Sequence, residues 1–290
     1  MMITVYHEES NYIHYNTTKA FVAGLKFLGV DCQERSIGSG YHKSDVIVLF
    51  GYIKGQKARS RIIQRHDDPS STIIIERGFI GRGSNQSNIK ESYYSVGIGE
   101  FNGKANFRNK NSLPDRWLKL NIDIKPLNTG GKNVVLLGQV LRDASLLHVD
   151  YDKWLNATYE YLNMKCENVL FKPHPLMKTS GPTNGNHLLR GKNITKEPLE
   201  EVLAEAKYTV AFNSNSGVES ILAGVPSVSI DKRSMIYNIS SHDIFDPQYP
   251  TESKLLEWAY NIAYAQWTTE EMAQGLPQEH LGLIKWQKRI

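Results

Sequence analysis

The chain has 290 residues, room for one large or two modest domains. An apolar fraction of 40% and an aromatic fraction of 10% support a buried core, and a well-mixed charged fraction of 22% excludes a disordered chain. The net charge of +4 is a mild basic bias that admits a nucleotide, a nucleic acid or an anionic lipid as partner without requiring one. Cys32 and Cys166 lie far apart, in no metal-type spacing, and read as thiols of a reducing compartment. No apolar segment of signal-peptide length follows Met1 and no stretch approaches the length of a membrane span, so a cytoplasmic protein is expected.

In chain order, residues 3–6, 46–50 and 72–75 are short β-branched runs bounded by polar residues or glycine, and they predict buried strands. Residues 17–28 predict an amphipathic helix with Ala20, Phe21, Leu25 and Leu28 at helical spacing, Thr17 or Thr18 as N-cap and Gly29 as stop. A second helix is expected over 57–65. Its basic residues Lys57, Arg59, Arg61 and Arg65, with Lys54 before them, should form a solvated face. Residues 78–111, rich in Gly, Asn and Ser, read as loops around one strand near 93–97. The Pro/Gly segment 123–131 is the expected domain boundary.

The pattern then restarts. Strands are expected at 134–137, 169–171, 209–212 and 228–230, and helices at 152–162, 198–206 and 217–223. This alternation implies an α/β fold: two Rossmann-like parallel-sheet domains, 1–125 and 126–250, facing across an interdomain cleft, with ligands beyond the carboxyl ends of the strands. Residues 251–290 are expected to form a helical segment packing across the domains. The helix at 252–266 reads as apolar around most of its circumference.

Five segments carry chemistry. In Asn213-Ser214-Asn215-Ser216-Gly217-Val218-Glu219 a strand ends in small polar residues and a helix begins. Backbone N–H groups there, with Ser and Asn side chains, suit a phosphate, Gly217 allows close approach to the backbone, and Glu219 can accept from ribose hydroxyls. The plain alternative is a capped strand-turn-helix with no ligand. In Lys172-Pro173-His174-Pro175 the prolines fix the backbone at a strand end and aim the imidazole, so Lys172 and His174 suit a donor phosphate.

After strand 134–137, the loop from Gly138 offers Gln139, Arg142, Asp143 and Ser145, with Asp143 or Ser145 as a simple cap in the alternative reading. Ile75-Glu76-Arg77-Gly78 ends a first-domain strand. Glu76 is the candidate general base for a hydroxyl acceptor, and Arg77 and Arg82 are candidate anion-binding residues. A salt-bridged strand end competes with that reading. His7 and Glu8, after the first strand, are rival catalytic groups. No Walker loop, Gly-x-Gly-x-x-Gly, Gly-x-Ser-x-Gly or histidine-metal spacing occurs.

Glu76-Arg-Gly-Phe79, Gly138-Gln-Val-Leu-Arg-Asp-Ala-Ser145, Lys172-Pro-His-Pro175 and Ser216-Gly-Val-Glu-Ser-Ile-Leu-Ala-Gly-Val-Pro226 resemble, in this order, the motifs of bacterial capsule-type Kdo transferases and their capsular polysaccharide relatives. The resemblance implies a GT-B architecture and metal-independent transfer. It implies no cofactor beyond a nucleotide-sugar co-substrate, UDP- or CMP-linked, held by Gln139, Ser145, Lys172, His174, Ser216 and Glu219. The family's acceptor-side motif reads Glu-Asp-Gly with the aspartate as base, and here Arg77 stands in its place.

The compact chain also looks like phage-type enzymes that glycosylate hydroxymethylated pyrimidines in DNA, which would make duplex DNA a partner. Arg77, Arg82, Lys104, Arg108 and Lys110, with the basic helix, would suit a phosphate backbone. The expected function is therefore a glycosyltransferase of a bacterium or phage-infected cell, leaning to a hydroxymethylpyrimidine acceptor. Transfer to a capsular, surface or lipid-linked glycan is the first alternative. A nucleotide-sugar epimerase and a non-catalytic nucleic-acid-binding protein are the others.

Overall fold

The computed structural model describes residues 1–52, 57–82, 91–141, 143–178 and 186–284, the side chains of Lys57, Lys178 and Asn186 apart. The chain divides into two compact units, Met1–Leu120 with Ala259–Ile290, and Asn121–Trp258.

The first unit opens with β1 (Ile3–His7), every residue of it buried. Helix α1 (Tyr12–Phe27) follows, and its N-cap is Asn11, whose side chain accepts from the N–H groups of Ile13 and His14. The expected start at Thr17 or Thr18 is thus corrected. Both threonines are buried inside the helix, and their hydroxyls donate back to the carbonyls of Ile13 and His14. Asn11 wins because it stands just ahead of the first helical residue and meets two orphan donors at once. Gly29, at φ 69°, follows the C-cap as expected.

Strand β2 (Cys32–Ser36) is polar and half-exposed, which is why its sequence carries no strand signal. Next come β3 (Val46–Phe50), α2 (Lys57–His66), β4 (Thr72–Arg77), β5 (Tyr94–Ile98) and α3 (Asp115–Leu120).

The second unit contains β6 (Asn133–Leu137), α4 (Tyr151–Lys165), β7 (Val169–Lys172), α5 (Leu199–Ala204), β8 (Ala206–Ala211), α6 (Ser216–Leu222) and β9 (Ser227–Ser229). The division back to the first unit falls within α7 (Glu252–Ala263). This helix buries one stripe, Leu255, Trp258, Ala259, Ile262 and Ala263, while Leu256 is exposed. The i, i+3, i+4, i+7 spacing makes it one-sided, not apolar around most of its circumference as the sequence suggested. The first unit closes with β10 (Gln266–Trp267), α8 (Thr269–Ala273) and α9 (Leu276–His280). Residues 259–284 therefore complete the first unit instead of forming a separate terminal segment.

The two sheets repeat one topology. The first runs β10-β5-β4-β3-β1-β2 and the second β7-β6-β8-β9. Strands β1 to β4 pair in parallel, as do β6 to β9, whereas β5 and β10 are antiparallel additions. In each sheet the winding reverses between the first and third strands, β1 and β3 or β6 and β8. Open α/β sheets bind ligands beyond the carboxyl ends of the strands at such a switch point.

Candidate functional sites at the two switch points

In the second unit the switch point lies between the ends of β6 and β8. Gln139 follows β6 and Asn213 follows β8, and both are buried. The Gln139 amide nitrogen donates to Ser145 Oγ at 2.6 Å and to Asn213 Oδ1 at 2.7 Å. The network fixes which end of the amide is which. Ser145 Oγ spends its proton on Asp143 at 2.7 Å, so it accepts from Gln139, and the Asn213 nitrogen donates to the Ser145 carbonyl at 2.8 Å. Gln139 Oε1 is left facing the other way, buried and with no partner among the described residues.

Asp143 caps the turn Ala144–Leu146 by accepting from the Ser145 N–H, so its carboxylate is committed locally. Arg142, between them, lies outside the described residues.

Lys172 is the last residue of β7, and its Nζ donates to the Glu197 carbonyl. His174 Nδ1 accepts from the Leu176 N–H at 3.2 Å, which assigns the proton of the neutral ring to Nε2, a donor suited to an anion. Gly138 donates to the Lys172 carbonyl at 2.8 Å and packs closely on this turn: a Cβ there would lie 3.0 Å from both Met177 Sδ and Pro173 Cα.

Ser214, Asn215, Ser216, Gly217 and Glu219 surround the start of α6. Ser214 Oγ accepts from the Ser216 N–H at 3.3 Å, and Glu219 is exposed in the first turn. Gly217 also has a reason within the fold. A Cβ there would meet Ile236 Cδ1 at 2.8 Å, so its small size serves packing within the unit. Asp231, just after β9, was not singled out in the sequence. Burial opposes its charge, but fork contacts from Arg233 at 2.8 Å and a hydrogen bond from Asn213 hold its carboxyl below the usual range.

In the first unit the switch point lies between the ends of β1 and β3. Glu8 follows β1. Its Oε2 takes the guanidinium of Arg59 and the imidazole Nδ1 of His14, and Arg59 Nη2 also stands 2.9 Å from that nitrogen. The His14 ring stacks on Phe50, the last residue of β3, at 4.1 Å. Burial, then the charges of Arg59 and Arg77, push the His14 pKa down against the pull of Glu8.

Arg59 departs from the expected solvated basic face, because it is buried, while Arg61 and Arg65 are exposed as expected. It stands three residues before buried Ile62, on the inward stripe of α2. Lys54 lies outside the described residues, as does the Lys57 side chain. Glu76 Oε1 accepts from the Tyr52 N–H at 3.1 Å. Gly51, at φ 84°, keeps space for this group: a Cβ there would lie 2.5 Å from Arg59 Nη1.

Glu8, His14, Arg59, Glu76 and Arg77 therefore gather at one sheet end, and His14 and Arg59 are the members the sequence did not reveal. His7 is turned away from them. Its ring contacts Thr18 Oγ1 at 2.8 Å and Glu34 at 3.1 Å. Arg82 is exposed at the edge of the described residues.

The loop after β4 is fixed from the far end of the chain. Buried Gln266 accepts from the N–H groups of Phe79 and Ile80 at 2.8 and 3.0 Å and donates to the Ile80 carbonyl at 3.0 Å.

No protein-family model matches the sequence, and no curated protein matches it. Two solved structures superpose over nearly the whole chain. One is the β-Kdo 2,7 transferase of Thermosulfurimonas dismutans KpsC, with 15% identity, TM-score 0.53, and 98% of this chain and 100% of that one covered. The other is the β-Kdo 2,4 transferase of the same KpsC, with 13% identity, TM-score 0.54, and 91% and 90% covered.

The fold is that of the KpsC Kdo transferases.

Like them, the chain has a glycosyltransferase-like fold of the GT-B class, with two Rossmann-like units. Among the described residues no helix is long and apolar enough to cross a membrane.

Proposed function

We propose that the chain is a nucleotide-sugar-dependent glycosyltransferase that needs no resident metal and transfers to a hydroxyl. The observation that carries this reading is the amide network at the second unit's switch point. There Gln139 ties the ends of β6 and β8 together beside Lys172 and His174 at the end of β7. This is where an open parallel sheet takes a nucleotide. Lys172 and the Nε2–H of His174 would meet the phosphate charge, and Glu219 the ribose hydroxyls. Asn213, Ser214, Asn215 and Ser216 would line the turn. A UDP- or CMP-linked donor fits this set.

For the acceptor, the KpsC-like fold favours a surface or lipid-linked glycan hydroxyl. The burial of Arg59 against Glu8 removes one cation from the basic face on which a hydroxymethylpyrimidine in DNA depended.

The test is thermal unfolding with CMP-, UDP-, GDP- and dTDP-sugars, followed by transfer assays on glycan and on hydroxymethylated duplex DNA. The correct donor at 100 times its Kd should stabilise the fold by about 2.7 kcal/mol, and His174→Ala and Glu219→Ala should abolish that gain. A chain stabilised by none of the four nucleotide classes would sink the proposal. Transfer to duplex DNA alone, with steep salt dependence, would overturn the glycan acceptor.

A further inference from the structure

The reaction proposed above requires a base for the acceptor hydroxyl, and Arg77 occupies the place where the resembling family carries its aspartate. We infer that His14 is this base, oriented by Glu8, with Arg59 as a positioning residue that holds Glu8.

Nδ1 lies against both the Glu8 carboxylate, which can only accept, and Arg59 Nη2 at 2.9 Å, which can only donate; we assign the ring proton to Nδ1 because the hydrogen bond to the ionised carboxylate is the stronger of the two, and this leaves a lone pair on Nε2. Arg59 supplies the second hydrogen bond to the same oxygen, which keeps Glu8 ionised as an acceptor instead of competing for the proton. The ring plane is set by stacking on Phe50 at 4.1 Å and 19°. His14 retains 21% of its side-chain surface, whereas Glu8 and Arg59 retain 8% each. The imidazole is thus the member of the triad with surface left to meet a substrate.

The charged groups facing His14 are Glu8 after β1, Arg59 from α2 and Arg77 at the end of β4. Burial and the two arginines oppose a second proton on the ring, so the neutral base persists below the pH at which an ordinary histidine protonates. In the step, the acceptor O–H proton passes to His14 Nε2 while the acceptor oxygen bonds to the anomeric carbon. The bond from that carbon to the donor phosphate oxygen breaks, and the nucleotide leaves with the electron pair. Imidazolium then returns its proton to solvent.

This inference rests on the transferase reading, and the experiment separates the two. Transfer kinetics across pH are measured for the wild type, His14→Ala and His14→Gln, with donor binding read by thermal shift on the same samples. We expect kcat to fall 10²–10⁴-fold in both variants while the donor-induced shift is unchanged. The wild-type acid limb should lie below pH 6.5, and added imidazole should restore part of the His14→Ala rate. A wild-type rate in His14→Ala with donor binding intact overturns the role of His14 alone. A wild type that binds no nucleotide sugar overturns the transferase reading as well.

Discussion

Arg116 ties together several parts of the first unit. Its guanidinium lies 3.7 Å from the Trp267 ring and makes a fork of two 3.0 Å contacts with Glu271. It also donates to the carbonyls of Ala263 and Gln266. Glu271 is buried, which opposes its charge, but Arg116 holds its carboxyl below the usual range. Without Arg116, Glu271 keeps only the exposed ammonium of Lys119 at 3.0 Å and the Thr268 N–H, and loses its buried fork. Arg116→Ala should therefore cost up to about 3 kcal/mol in urea unfolding, at the low end of the range for a broken buried pair because Lys119 still meets Glu271, and Arg116→Lys should not recover it because an ammonium cannot make the fork.

Gln266 obeys similar logic without charge. Gln266→Leu leaves the Phe79 and Ile80 N–H groups buried and unpaired, at about 1–3 kcal/mol each. Hydrogen exchange at those two amides should rise more than at β4 itself.

Residue-level chemistry was only partly legible in the sequence. Glu76 and Gln139 stand at strand ends that hydrophobic runs mark plainly. Arg59 was misread because its helix is crowded with cations, although its three-residue spacing to Ile62 was an available signal. His14 sits inside a helix whose start depended on recognising Asn11.

At the level of elements, α1 meets the end of the chain through its glycine. A Cβ on Gly24 would lie 1.9 Å from the Met272 carbonyl and 2.5 Å from Gln278 Nε2. Gln278 donates to both the Phe21 and Met272 carbonyls and so closes this contact. Gly24→Ala should thus destabilise the protein even though alanine is the better helix former by about 1 kcal/mol. A urea midpoint equal to or above wild type would contradict the packing described.

Strands β1, β3, β4, β6, β7 and β8 were legible because each holds a short apolar run between breakers. Strand β2 was not, since an edge strand with polar side chains has no apolar face to display. Helices α8 and α9 were missed because five residues give no periodicity to read. The capping box of α8, Thr268 with Glu271, was nevertheless written in the sequence as Thr-x-x-Glu.

Across the whole molecule, four histidines of the first unit have shifted affinities for protons. His7, His14, His66 and His280 all belong to the first unit, and burial is the leading cause lowering each of their pKa values from 6.5. The unfolded chain binds protons at these sites as pH falls through 6.5, whereas the folded chain does so only at lower pH. Stability contributed by the neutral rings is therefore intact above about pH 7.5 and is lost as pH falls from 6.5 through the depressed folded values. Urea midpoints should be constant between pH 7.5 and 8.5 and should decline by pH 5.5, before ordinary carboxylates titrate. A midpoint unchanged at pH 5.5 would contradict the burial of these rings. The repeat of βα alternation announced two Rossmann-like units, but the return of the chain to complete the first one did not show. Strand β10 is only two residues long, and its pairing with β5 spans the entire second unit.

That return has a consequence for synthesis. The loop that carries Phe79 and Ile80 gains its anchor only when Gln266 leaves the ribosome, more than 180 residues later. A nascent or prematurely terminated chain can finish every strand of the second sheet while the end of β4 still lacks its clamp. The order of translation thus lets the second unit finish first, while the first waits for the end of the chain to complete it.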